Sequence, residues 1–167
     1  MVTTVKIRES NSSIKDILEA LQYMKNNVVH SGVINADEQT VDTAELNEFG
    51  GISHYTRGPY MGEEVRVPAR PFVGKSVERD KEKIKAVAAA SFSSGITVEN
   101  AKKALEAMGY VAATGQIKTL ESNGEGISGW QKWQDFRTIA TKGHARPLFT
   151  ERMYTFPIDY EIVRRHV

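Results

Sequence analysis

The sequence predicts an α+β protein: a small, mostly antiparallel sheet packed on one side by an N-terminal helix and a long helical hairpin. Three observations carry this. Apolar residues alternate near both ends of the chain, at Val5 and Ile7 and again at Ile158, Tyr160 and Ile162, as half-buried strands require. They recur with helical spacing over 14–24 and, in two consecutive blocks, over 73–93 and 98–120. The last two helical blocks, divided at Gly95 and Thr97, read as a hairpin lying across one face of a sheet. With 167 residues there is material for one hydrophobic core and little for two, so 1–167 reads as a single domain.

In order along the chain, 3–7 reads as a short strand. Ser12 or Ser13 then caps a helix, whose Ile14, Ile17, Leu18, Leu21 and Met24 are spaced to form one buried face. Asn26 and Asn27 end it, because asparagine tolerates the left-handed conformation common at helix ends. Val28, Val29, Val33 and Ile34 are a β-branched strand. Within 43–50 the run TAELNEFG predicts one or two helical turns closed by Gly50. From Gly51 to Glu64 the turn residues Gly58, Pro59 and Gly62 predict a long loop, and long loops in small domains are commonly functional.

Val65 to Val67 is a short strand, and Pro68 and Pro71 prevent a helix from starting before Val73. The helix that follows places Val77, Ile84, Val87, Ala88 and Ser91 on one face and is closed by Gly95. Thr97 caps the next helix, whose stripe of Ala101, Ala104, Leu105, Met108, Val111, Ala112 and Gly115 is rich in small residues. Gly109 and Gly115 each cost about 1 kcal/mol relative to alanine inside a helix, so their presence predicts close approach of a neighbour or a local bend. The run SNGEGISG reads as a flexible loop and Leu148 to Tyr154 as a single turn. A terminal strand spans 158–163.

Composition narrows the function. Apolar residues at 40% and charged residues at 26% are ordinary for a globular protein. The formal net charge of +1 supplies no field that would draw the chain onto DNA or an anionic membrane. There are no cysteines, which excludes disulfides, thiolate metal sites and cysteine nucleophiles. The N-terminal run has no apolar segment of signal-peptide type, and AVAAASF is far short of the ~20 residues needed to span a bilayer. A soluble protein made in the cytoplasm is expected.

Candidate chemistry is sparse. Gly74-Lys75-Ser76 resembles the end of a phosphate-binding loop, but Ala69 occupies the position where that motif needs glycine. The prolines beside it remove N–H donors, so these residues read as a first helical turn. His30, His54, His144 and His166 have no metal-site spacing. Glu45 and Glu48, like Glu63 and Glu64, read as exposed acids. No nucleophile elbow is present, and neither a catalytic group nor a cofactor or metal site is assigned. Trp130, Trp133 and Phe136 among Lys132 and Arg137 are compatible with stacking on bases. Near-neutrality favours reading the tryptophans as core or interface anchors and argues against direct DNA contact.

Three segments carry a resemblance: AELNEFGG (44–51), VPARPFVGKSVER (67–79) and KGHARPLFTERMYTFPIDYEIV (142–163). In order and spacing they resemble the neck and tail-completion proteins of long-tailed bacteriophages, including the lambdoid tail-component and Mu-type virion-morphogenesis relatives. Two departures are plain: Glu151 stands where relatives place glycine, and Phe156-Pro157 replaces a serine before the last strand.

The resemblance implies a structural virion protein of the neck, without enzymatic activity, that completes the tail and enables head–tail joining. Its expected partners are other neck and tail proteins (connector, terminator or tube subunits), and a homo-hexameric ring and a chain that stays monomeric until it meets the tail are equally compatible with it. The expected location is the virion, reached from the host cytoplasm. Alternatives are a terminator ring capping the tail tube, or a DNA-binding packaging accessory.

The residues singled out are Glu48, Phe49, Pro68, Arg70, Phe72, Trp130, Trp133, Pro147 and Leu148. Arg70, fixed between Pro68 and Pro71, is expected to pair with Glu48 or to reach an adjacent subunit. Phe49 and Phe72 are expected to plug the core. The 51–64 loop and the aromatic segment 130–136 are expected to touch neighbouring subunits.

Overall fold

Helix α1 (Ile14–Asn26) starts where a capping box permits it: the Ser13 side chain accepts from Asp16 N–H, and the Asp16 carboxylate accepts from Ser13 N–H. In this computed structural model residues 12–55, 58–130, 149–150, 153–154 and 156–165 are described. The strand expected over 3–7 lies outside them, as do Trp133, Pro147 and Leu148. The chain passes from α1 directly into β1 (Asn27–Val33). Asn27 is extended there (φ −125°, ψ 149°), not left-handed. It ends the helix by donating its side-chain N–H to Tyr23 O at 2.7 Å.

Beyond β1 come α2 (Glu38–Phe49), β2 (Gly51–His54), β3 (Glu64–Val67), α3 (Gly74–Ser91), α4 (Val98–Glu121), β4 (Phe149–Thr150), β5 (Met153–Tyr154) and β6 (Ile158–Arg164). The class is α+β, as expected. Among the described residues the strands form three separate antiparallel pairs, β1–β6, β2–β3 and β4–β5. The β1–β6 register runs from Asn27↔Arg164 to Val33↔Ile158, joining the two ends of the chain. Helices α1 and α4 pack on this pair, and α3 packs on α4 as the other arm of a hairpin.

Two expected faces differ from the structure. On α1, Ile14, Leu18 and Leu21 are 79%, 62% and 56% exposed, and the helix turns Ala20 inward instead. On α3, Val77 is exposed, and the residues buried against α4 are Ser76 and Asp80. A polar seam therefore joins the hairpin. Ser76 Oγ bonds Phe72 O and lies 2.7 Å from Thr119 Oγ1. Arg79 reaches Asp80 (2.6 Å), Thr119 Oγ1 (3.0 Å) and Gly115 O (3.1 Å), while Lys83 holds the second Asp80 oxygen at 2.7 Å.

The glycines of α4 make this approach feasible. A Cβ on Gly115 would sit 2.5 Å from Asp80 Oδ2, and one on Gly109 would overlap the Tyr160 ring of β6. Thr97 caps α4 by accepting from Asn100 N–H, as expected. At its far end, Asn123 takes a positive φ of 54°, and Asn123 and Gly124 N–H return to Leu120 O and Thr119 O, a Schellman closure. The run expected to be a flexible loop is thus a hydrogen-bonded turn that buries Gly124 and Ile127. The turn expected over 148–154 contains the short β4–β5 pairing, Phe149↔Tyr154 and Thr150↔Met153.

Candidate assembly surface

The core cluster lies where α2, α3, α4 and the start of β6 converge. Phe72 is fully buried and stacks on Phe156 with ring centroids 5.2 Å apart and planes 4° from parallel. Ala44 and Leu120 complete the cluster, and Val33, Val73, Trp130 and Ile158 pack around it. Phe72 is the core plug the sequence predicts. Trp130, expected at a subunit contact, is half-buried on this cluster, with its Nε1–H 3.3 Å from Asn123 Oδ1 and its ring over Gly124.

At the end of α2, Asn47 and Glu48 hold the stretch 70–74, and a helix fans consecutive side chains by ~100° each. Asn47 points inward: its backbone O accepts from Arg70 N–H at 2.6 Å and its Oδ1 from Arg70 Nη1 at 3.2 Å. Glu48 turns toward α3, which has no side-chain cap of its own. Glu48 Oε2 accepts from Val73 N–H and Oε1 from Gly74 N–H, both at 2.9 Å. A carboxylate at a helix N-terminus satisfies orphan donors and complements the helix dipole. Arg70 therefore bonds Asn47, and Glu48, its expected partner, caps α3. Arg70 is almost fully buried, and loss of water around its guanidinium lowers its pKa to about 10, so it stays charged at neutral pH.

Phe49, third in the series, is 78% exposed. The expectation that it plugs the core is overturned: with Asn47 and Glu48 held, the helix has no inward position left for it. Gly50 then turns the chain at φ 74° with its N–H bonded to Leu46 O. A Cβ there would lie 2.9 Å from Ala69 N, so α2, β2 and the proline segment are pressed together at a point that only glycine fits.

The expected 51–64 loop is a hairpin. Strand β2 pairs with β3 from Gly51↔Val67 to His54↔Glu64. Gly62, at φ 86°, donates to Tyr55 O at 2.8 Å, and Tyr55 N–H donates to Glu63 O at 3.0 Å, the pattern of a G1-type bulge. On the outer face lie Ile52 (63% exposed), His54, Glu64 and Arg66. Phe49, Ile52, Glu64, Arg66 and Pro68 line one open groove. A second, mainly apolar groove is lined by Val33, Val41, Phe72 and Val73, and Phe49 borders both grooves.

Among the described residues no group of three or more His, Asp or Glu side chains is arranged to hold a metal ion, and no helix is long and apolar enough to cross a membrane. No family model, curated protein or solved structure matches this chain.

Proposed function

We propose that this protein is a structural component of a tailed-phage neck, which completes the tail and enables head–tail joining by protein–protein binding. The observation that carries the reading is the braced display of Phe49. A large aromatic stands 78% exposed at the border of two grooves, and its two preceding residues are held by Arg70 and by the start of α3. Exposed aromatics on a pre-ordered frame make effective interface anchors, because little side-chain or loop entropy is lost on docking.

The segments that carry the resemblance also meet in space, which supports the reading further. Asn47 joins Arg70, linking the first segment to the second. Phe72 stacks on Phe156, joining the second to the third at a position where this chain departs from the likeness. The bracing of Phe49 is drawn from the first two segments.

The test is electron microscopy of lysates from the parent phage with this gene interrupted. Full heads beside separate tails of normal length are the expected result. Tails of irregular length would assign the chain to a terminator ring instead, and intact infectious particles would refute a neck role.

A further inference from the structure

We propose that β3 is a self-complementary strand edge, which pairs antiparallel with β3 of a second copy of this chain about a two-fold axis at Val65. The bulge fixes the hydrogen-bond phase of the hairpin. Tyr55 and Glu63 form a bonded pair, and antiparallel ladders alternate bonded with non-bonded pairs. Ser53↔Val65 and Gly51↔Val67 are therefore bonded pairs, whereas Ile52↔Arg66 and His54↔Glu64 are not. It follows that Glu64 and Arg66 direct their backbone N–H and C=O groups away from β2. Among the described residues no strand lies on that side, since β2–β3 is a two-stranded sheet.

Charge then selects the occupant. The edge reads Glu64-Val65-Arg66, with both charged residues exposed and neither in an ion pair among the described residues. An antiparallel copy centred on Val65 sets Glu64 opposite Arg66 of the second copy and Arg66 opposite its Glu64. These are the two pairs whose backbone groups face outward, so each exchanges two N–H···O=C bonds. Val65 meets Val65 of the second copy as the non-bonded pair, where side chains come closest. Pairing with a β2 edge would instead put these charges opposite Ile52 and His54, without that match.

The pairing is also self-limiting. The next outward-facing residue toward the C-terminus is Pro68, which has no N–H to donate. A two-fold contact closes on itself and makes dimers rather than fibres. Strands this short cover less than the ~1,200 Å² of a standard stable interface, so dissociation in the micromolar range is expected. This inference goes beyond the neck reading and is tested on the purified full-length chain without any phage particle, so each can fail while the other stands.

Sedimentation equilibrium over a micromolar-to-millimolar series should show a monomer–dimer equilibrium for the native chain. E64R and R66E each place like charges in both symmetric pairs, and each should weaken dimerisation by roughly tenfold or more. The double variant E64R/R66E restores opposite charges and should restore the dimer. A native chain that stays monomeric throughout, single variants that dimerise like the native chain, or a folded double variant that remains monomeric would each overturn the proposal. So would an assembly larger than a dimer that is indifferent to both substitutions.

Discussion

Asp80 shows how a single polar residue can organise a helix pair. Burial by itself raises its pKa, but hydrogen bonds from Arg79 and Lys83 outweigh burial and hold the carboxyl below its ordinary value. The unfolded chain therefore binds this proton more tightly than the folded one. The stabilisation is fully present above about pH 4, the ordinary value for aspartate, and is lost as the pH falls through the lowered folded value. Asp80→Asn keeps the shape but not the charge. It should cost about 1–3 kcal/mol at neutral pH, as expected when a buried charged hydrogen-bond partner is weakened. Urea unfolding of both proteins across about pH 5 to 2 should give a shallower loss of stability for the variant. Parallel slopes would show that Asp80 does not control acid unfolding. Glu48 acts differently: half-buried, it ties α2 to α3 by capping two N–H groups from 25 and 26 residues away.

At the scale of elements, α4 sets the packing distances, because its small residues let both α3 and β6 approach. Alanine at position 109 would gain about 1 kcal/mol of helix propensity. The added methyl would overlap the Tyr160 ring, and overpacking of this kind costs about 1–3 kcal/mol. Gly109→Ala should therefore lower the urea midpoint, and it should do so by less in a Tyr160→Ala background, where the ring it would strike is gone. A stabilised single variant would show that Tyr160 can move aside freely.

The caps at Ser13 and Thr97 and the close approaches at Gly109 and Gly115 were legible in the sequence, because each rests on local chemistry. The buried side of α3 was not: Ser76 and Asp80 look like surface residues until the glycine at 115 and the hydroxyl at 119 are set beside them. Nor was the exposure of Ile14, Leu18 and Leu21, since helical periodicity marks an apolar stripe without saying what covers it. The 51–64 hairpin was hidden by its own bulge. Gly62 reads as loop punctuation, and β2 contributes only Ile52 as a large apolar residue. Arg70 was legible as a fixed donor, but its bond to Asn47 in place of Glu48 was not, because the rotation of α2 is set by partners distant in sequence, such as the Val73 and Gly74 N–H groups that Glu48 caps.

For the molecule as a whole, the consequence of that rotation is a division of the aromatic residues between core and surface. Phe72 and Phe156 bury the aromatic mass on which the fold depends, while Phe49 sits on the same frame and contributes its surface to solvent. Phe49→Ser should therefore change folding stability by no more than about 0.5 kcal/mol, the usual range for surface substitutions away from special features. If the neck reading is right, it should also lower the yield of joined, infectious particles sharply, since truncating an interface anchor typically removes 2 kcal/mol or more of binding. Thermal unfolding of the purified variant, paired with plaque counts from phage carrying the same change, separates the two effects. A variant with native stability and native infectivity would remove Phe49 from the assembly surface. One that unfolds early would instead show that the grooves Phe49 borders close around it as part of the core.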